Sequence, residues 1–180
     1  AIGYQALSAN SNTTAAYNTA VGYEALLSNT TGINNTAVGK NACRIITTGE
    51  RNTGVGVQAL GNTSTGTTNN VAVGVNALYG TTGSSNTACG DAALYSNTTG
   101  ASNVAVGRNA LFVNTTGTYN SALGTYALDA NTTGENNVAV GAFALAANTT
   151  ANDNNAVGMK ALTTNTTGQY NDAFGYSALE

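Results

Sequence analysis

The chain has 180 residues, of which 7% are charged and 42% hydrophobic, much of the latter Ala, and its formal net charge is −3. Only five residues are basic and they do not cluster, so the cationic face that phosphate binding needs is missing and nucleic acid is not an expected partner. With no Pro, 22 Gly and abundant Asn and Thr, the composition predicts many turns joined by short, tightly packed segments.

The predicted elements follow a repeat, and internal repeats are the first thing such a chain should be read for. The first copy opens at Ala1-Ile2-Gly3. Counting the Gly that follows each small apolar pair, further copies come at Gly22, Gly39, Gly56, Gly74, Gly90, Gly107, Gly124, Gly141, Gly158 and Gly175. The spacings are 19, 17, 17, 18, 16, 17, 17, 17, 17 and 17. Four places before each Gly from Gly22 onward stands an Asn: Asn18, Asn35, Asn52, Asn70, Asn86, Asn103, Asn120, Asn137, Asn154 and Asn171. Three places after every Gly stands Ala, followed by Leu in ten copies and by Cys43 in the other. The length changes fall around the Asn-Thr-Thr-Gly segment, as in Gly80-Thr81-Thr82-Gly83, one residue short. Insertions collect in surface turns, so this segment is a predicted corner. All thirteen charged residues, eight acidic and five basic, lie outside the recurring Asn, Ala, apolar, Gly and Leu positions. The unit therefore has an inside and an outside. The chain closes on Ala178-Leu179-Glu180, in mid-repeat as it began, and residues 1–180 are read as a single array cut from a longer one.

Length decides the shape of each copy. Helical repeats need about 33 to 47 residues to make a helix pair, and Gly, Asn and Thr interrupt every copy here. The expected fold is all-β, a β-solenoid or parallel β-roll of about ten to eleven 17-residue turns, stacked about 4.8 Å apart. Short strands are predicted at Asn-x-Ala-Val-Gly and near Ala-Leu. In Asn103-Val104-Ala105-Val106-Gly107, alternation sends Val106 and Ala105 to opposite faces. The larger residue, Val106, is expected to fill the coil with the following Leu, leaving Ala and Gly to face a neighbouring backbone. One Val and one Leu per turn contribute roughly 1.5–3 kcal/mol apiece, against about 1–2 kcal/mol per residue for ordering the backbone. A lone turn cannot fold, so stability must come from stacking. The recurring Asn is expected either to stack its amides in a ladder along the axis or to bond its own backbone in a turn.

The stretches Asn-Val-Ala-Val-Gly (70–74, 103–107, 137–141) and Asn-Thr-Ala-Val-Gly (18–22, 35–39) resemble the head motif of trimeric autotransporter adhesins, a polar residue followed by Val-Ala-Ile-Gly. The whole unit is also similar to repeats in bacteriophage tail-fibre proteins. The resemblance implies a left-handed parallel β-roll in which three identical chains pack side by side, exposed on a bacterium or a phage tail as stalk or adhesive head. This repeat is longer than the adhesin one, and its Asn-Thr-Thr-Gly corner is not part of that motif.

Candidate chemistry is sparse. The chain has no His, and its eight carboxylates are scattered over variable positions, whereas acid–base catalysis needs paired groups. No catalytic residue, cofactor or metal site is expected. Gly54-Val55-Gly56 imitates a dinucleotide fingerprint only because Gly54 replaces the usual Ala. Cys43 in a Leu slot and Cys89 in a Val slot are both expected as small buried hydrophobes. Asn12, Asn29, Asn34, Asn62, Asn97, Asn114, Asn131, Asn148 and Asn165 fit the N-glycosylation pattern, a consequence of composition that would still suit a decorated fibril. The Tyr residues, among them Tyr23, Tyr79, Tyr95, Tyr119 and Tyr170, are candidates for a contact surface, toward a sugar, a protein partner or a sister chain.

The expected role is a rigid, adhesive rod in an extracellular fibre, a homo-oligomer in trimeric or filament form that displays a surface to a host or a glycan. No membrane insertion of this segment is expected, since its longest apolar run, Val138 to Ala147, spans ten residues and is interrupted by Gly141. Two alternatives are a self-assembling secreted filament subunit and an ice-binding solenoid. The latter would use stacked Thr pairs such as Thr98-Thr99, Thr115-Thr116 and Thr132-Thr133.

Overall fold

The computed structural model describes residues 1–11, 16–63 and 66–180. Each copy contributes one three-residue strand: β1 (Thr19–Val21), β2 (Thr36–Val38), β3 (Thr53–Val55), β4 (Val71–Val73), β5 (Thr87–Cys89), β6 (Val104–Val106), β7 (Ser121–Leu123), β8 (Val138–Val140), β9 (Asn155–Val157) and β10 (Asp172–Phe174). They form one parallel sheet in chain order. Every residue pairs with its equivalent in the next copy, as in Val104↔Ser121, Ala105↔Ala122 and Val106↔Leu123. The chain is a β-solenoid of about nine complete turns. The larger number expected from the Gly copies included the incomplete coils at either end.

The expected second strand near Ala-Leu is not formed. After each strand, alternate residues take positive φ, as at Gly107 (129°), Asn109 (54°) and Leu111 (52°). A backbone that reverses hand at every second residue cannot run extended. The stretch nevertheless stacks. Asn109 N–H donates to the Asp91 carbonyl of the preceding turn at 3.0 Å, and Leu111 N–H to the Ala127 carbonyl of the next at 3.0 Å. A left-handed Leu costs about 1–2 kcal/mol, which its complete burial offsets at roughly 1.5–3 kcal/mol.

The strand faces are the reverse of those expected. Ala105 is fully buried, as is the middle residue of nearly every strand, whereas Val106 is 40% exposed. The bore is too narrow for the larger side chain. At Gly54, the one strand centre without a Cβ, an added methyl would lie 2.6 Å from the Cys43 sulfur in the Leu slot. The middle strand residue thus lies directly against the side chain in that slot; beside Cys43 a methyl fits only if the sulfur shifts, and no strand centre carries a residue larger than Ala. Successive turns approach as closely at the Gly: a Cβ on Gly90 would meet the Gly107 carbonyl oxygen at 2.6 Å. Leu remains inside, as expected, together with two Ala per turn. None of the thirteen charged residues is buried.

These placements set opposite expectations for two aliphatic residues five positions apart. Leu111→Ala should cost about 2–5 kcal/mol of unfolding free energy. In the monomeric chain, Val106→Thr should change it by about 0.5 kcal/mol or less, as at an ordinary surface position. Urea unfolding followed by circular dichroism measures both, and a larger cost at Val106 would contradict the assignment of faces.

Candidate functional site

The side chains that organise the molecule are two columns of Asn. In the first, the recurring Asn before each strand turns its side chain into the bore, and those from Asn35 to Asn154 are fully buried. Asn103 shows the arrangement. Its Nδ2 donates to the Gly117 carbonyl at 2.8 Å, the far corner of its own turn. Its Oδ1 accepts the backbone N–H of Asn120, the first residue of the next turn, at 2.9 Å. Amides also meet along the column, as Asn137 Nδ2 donates to Asn120 Oδ1 at 3.2 Å and Asn171 Nδ2 to Asn154 Oδ1 at 3.0 Å. Amide contacts of the ladder kind join some neighbours, whereas the backbone bond is not that of a local turn: it spans the coil, so that each amide closes its own coil and contacts the next. The same donor reaches the corner carbonyl from Asn18 (Gly32, 2.7 Å), Asn35 (Gly49, 2.7 Å), Asn52 (Thr67, 2.8 Å), Asn70 (Gly83, 3.0 Å) and Asn86 (Gly100, 2.9 Å).

The second column is the corner Asn, which sequence reasoning marked only as a glycan acceptor. Asn114, Asn131 and Asn148 donate Nδ2 to the Oδ1 of the preceding copy at 2.8, 2.9 and 2.9 Å. They also share the corner carbonyls of Gly117, Gly134 and Ala151 with the first column. Asn29, Asn97, Asn114, Asn131 and Asn148 are fully buried. This corrects the glycosylation reading at these five, because a glycan on Nδ2 would have to occupy the bore. Asn165 is partly exposed, with Nδ2 on the Gly168 carbonyl at 2.9 Å. Asn34 and Asn62 are exposed, and Asn12 lies outside the described residues. The missed signal was periodicity itself: a sequon set by composition would drift, whereas these recur at a fixed place in the unit.

The corner Thr pairs divide. The first Thr bonds to the neighbouring turn, as Thr98 Oγ1 donates to the Thr115 carbonyl at 2.7 Å and Thr115 Oγ1 to the Thr132 carbonyl at 2.9 Å. Thr99, Thr116 and Thr133 are exposed. The two Thr of a pair thus differ in role, although Thr98 is exposed as well, and equivalent hydroxyls do not form the regular array that the ice-binding alternative would use.

Outside, Tyr79, Tyr95 and Phe112 stack along three successive turns at 5.4 Å, and Tyr23 stacks on Tyr4 at 5.2 Å. Among the described residues no ring stacks on Tyr119 or Tyr170, which are 65% and 76% exposed. The five candidate Tyr therefore do not form one surface. A hydrogen bond and the charge of Glu24 push the Tyr23 hydroxyl above its ordinary range, while Arg44, 2.6 Å from Glu24, holds that carboxylate low. Burial raises the Asp129 carboxyl.

The remaining continuous feature is the outer strand face. One column runs in register from Ile2 through Val21, Val38, Val73 and Val106 to Phe174 and holds only apolar residues and Cys89. Beside it, the first strand residues are Thr, Val, Ser or Asn until Asp172. The expectation of two buried thiols holds for Cys43 and fails for Cys89, which faces outward with this column. Among the described residues no three His, Cys, Asp or Glu side chains gather as metal ligands, and no helix is long and apolar enough to cross a membrane. No protein-family model matches the chain, and no curated protein or solved structure matches it.

Two measurements follow. Burial pushes the Cys43 thiol up to about 12, so at pH 8 a thiol reagent should label Cys89 in the folded chain and Cys43 only after denaturation, as read by mass spectrometry. Asn120→Asp removes the Nδ2 donor that bonds the Gly134 carbonyl at 2.7 Å and buries a carboxylate. It should cost about 1–3 kcal/mol or more at pH 7. Its folded-state pKa would be raised, so the folded state binds the extra proton and stability should recover as pH falls toward the carboxylate range. Urea unfolding at pH 7 and pH 4 tests this, and equal losses at both would contradict the bond.

Proposed function

We propose that this chain is a structural segment of an extracellular fibre, a phage tail fibre or a bacterial surface adhesin, serving as a rigid stalk or attachment surface. The observation that carries the reading is the unbroken in-register stack from β1 to β10. Nine strand spacings at about 4.8 Å give a rod about 43 Å high. Side-chain amides close its coils from within, and no coil depends on a large apolar core. Such a unit extends by addition of further identical coils, which is what a stalk requires.

The rod is proposed to work as a side-by-side trimer or a filament of identical chains. The outward column from Ile2 to Phe174 supports this, because a charge-free apolar strip along a full edge of a molecule is suited to burial against another surface. Three such strips facing a common axis would cover one another and leave the corners outside. The exposed rings of Tyr119 and Tyr170 would then remain available to a glycan or a host surface. The resemblance of the Asn-Val-Ala-Val-Gly stretches to adhesin heads and of the whole unit to tail-fibre repeats favours the same arrangement.

The outward strand residues also give the ice-binding alternative a different face from the corners. Thr36, Thr53 and Thr87 lie beside Val38, Val55 and Cys89 in a regular two-column array. The two readings compete for one surface and exclude each other experimentally. Multi-angle light scattering at micromolar concentration should give an oligomer, and Val73→Lys with Val106→Lys should convert it to a monomer with unchanged circular dichroism. A wild-type monomer would refute the fibre reading, and thermal hysteresis from that monomer would establish the alternative.

A further inference from the structure

The rod interior is not uniform along its axis. In the four turns beginning at Asn86, Asn103, Asn120 and Asn137, the buried set is constant: ladder Asn, strand Ala, the Ala and Leu after the Gly, and corner Asn. There the corner column is a continuous chain of amides. It ends at Thr81, whose Oγ1 accepts the Nδ2 of Asn97 at 2.9 Å. Toward the N-terminus the same column holds Thr63 and then Ile46, both fully buried. Neither carries an amide to continue the chain.

Other defects coincide with this gap. Among the described residues, four of the five buried side-chain polar atoms without a partner lie between Asn29 and Thr63: Asn29 Nδ2, Asn41 Oδ1, Thr47 Oγ1 and Thr63 Oγ1. Cys43 replaces Leu and Gly54 replaces Ala, a paired change with less carbon in which the Cys43 sulfur takes up the room a Gly54 methyl would need. Ile46 returns some carbon but cannot bond to the column on either side. Of the three spacings that depart from seventeen, the 19 lies at the start of the chain, between Gly3 and Gly22, and the 18 and 16 belong to the turns beginning at Asn52 and Asn70.

We propose that residues 35–63 are a built-in yield point, which opens before the four uniform turns that begin at Asn86, Asn103, Asn120 and Asn137. In a stack whose coils contact only their neighbours, stability is a sum of coil and interface terms, and local opening follows the weakest of them. A rod loaded along its axis lengthens there before those four turns give way. The inference concerns the single chain and does not depend on its role in a fibre.

Native-state hydrogen exchange compares like with like. Leu60 N–H donates to the Ala77 carbonyl at 3.0 Å, and Leu111 and Leu128 make the same bond to Ala127 and Ala144 at 3.0 and 3.1 Å. After correction for intrinsic rates, Leu60 should exchange about tenfold faster or more than Leu111 and Leu128. The combined Ile46→Asn, Thr63→Asn and Thr81→Asn chain, which restores the amide column, should bring the ratio below about threefold with Leu128 unchanged. Equal or slower exchange at Leu60 in the wild-type chain overturns the proposal, as does an undiminished ratio in the folded triple variant. If that variant does not fold, the wild-type comparison alone decides.

Discussion

A carboxamide that reaches across its own coil to the corner carbonyl is the interaction on which this structure rests. From Asn18 to Asn154, the residue that opens each turn donates to the backbone near the end of the same turn. Its oxygen takes the N–H that begins the next. One side chain thereby satisfies a donor and an acceptor that the narrow bore would otherwise leave without water or partner, a loss of about 1–3 kcal/mol for each buried polar group. It also fixes where the coil turns back on itself. Asp would bring a charge to that place and Gln an extra methylene, so among the common side chains only Asn supplies both bonds at this reach.

The remaining interior follows from how little space the closed coil leaves. Its strand centres are Ala or Gly, its turning point is a Gly whose missing Cβ admits the next backbone, and one Leu or Cys fills the middle. A conventional core gains stability from the size of its side chains. Here it comes from coincidence of register, because in-register pairing sets the buried amides and methyls of one turn against their counterparts in the next, except where Ile46, Thr63 and Thr81 interrupt the corner column. Variation is therefore expelled to the outside, where Tyr, charge and length changes all lie. A homogeneous interior also makes any departure from the pattern consequential, which is why the substitutions around Ile46 and Thr63 stand out.

Much of this was legible in the sequence, and the part that was not has a physical cause. The spacing of Asn, Gly and Ala-Leu gave the solenoid, its period and the parallel register, since a seventeen-residue unit rich in Gly has few other ways to stack. The alternation along Val104-Ala105-Val106 was also readable, but its phase was taken from hydrophobicity, and hydrophobicity misleads in a bore this narrow. The better guide was tolerance. The strand centre accepts only Ala or Gly, whereas the position after it accepts Val, Cys, Leu or Phe, and strict size limits belong to the inside. The same oversight concealed the second amide column, because Asn-Thr-Thr reads as a modification signal until the Asn is seen to recur in a buried column. The missing second strand was not readable, since left-handed φ at Leu111 or Leu128 contradicts local preference and is imposed by the stack.

The closing amide can be observed directly. A long-range NMR experiment that detects scalar coupling through a hydrogen bond should connect Asn103 Nδ2 to the Gly117 carbonyl and Asn120 Nδ2 to the Gly134 carbonyl, with both side-chain amides protected from solvent exchange. Rapidly exchanging Asn103 and Asn120 amides with no such coupling would mean that the coils are not closed in this way, and the account of the fold would fail with them.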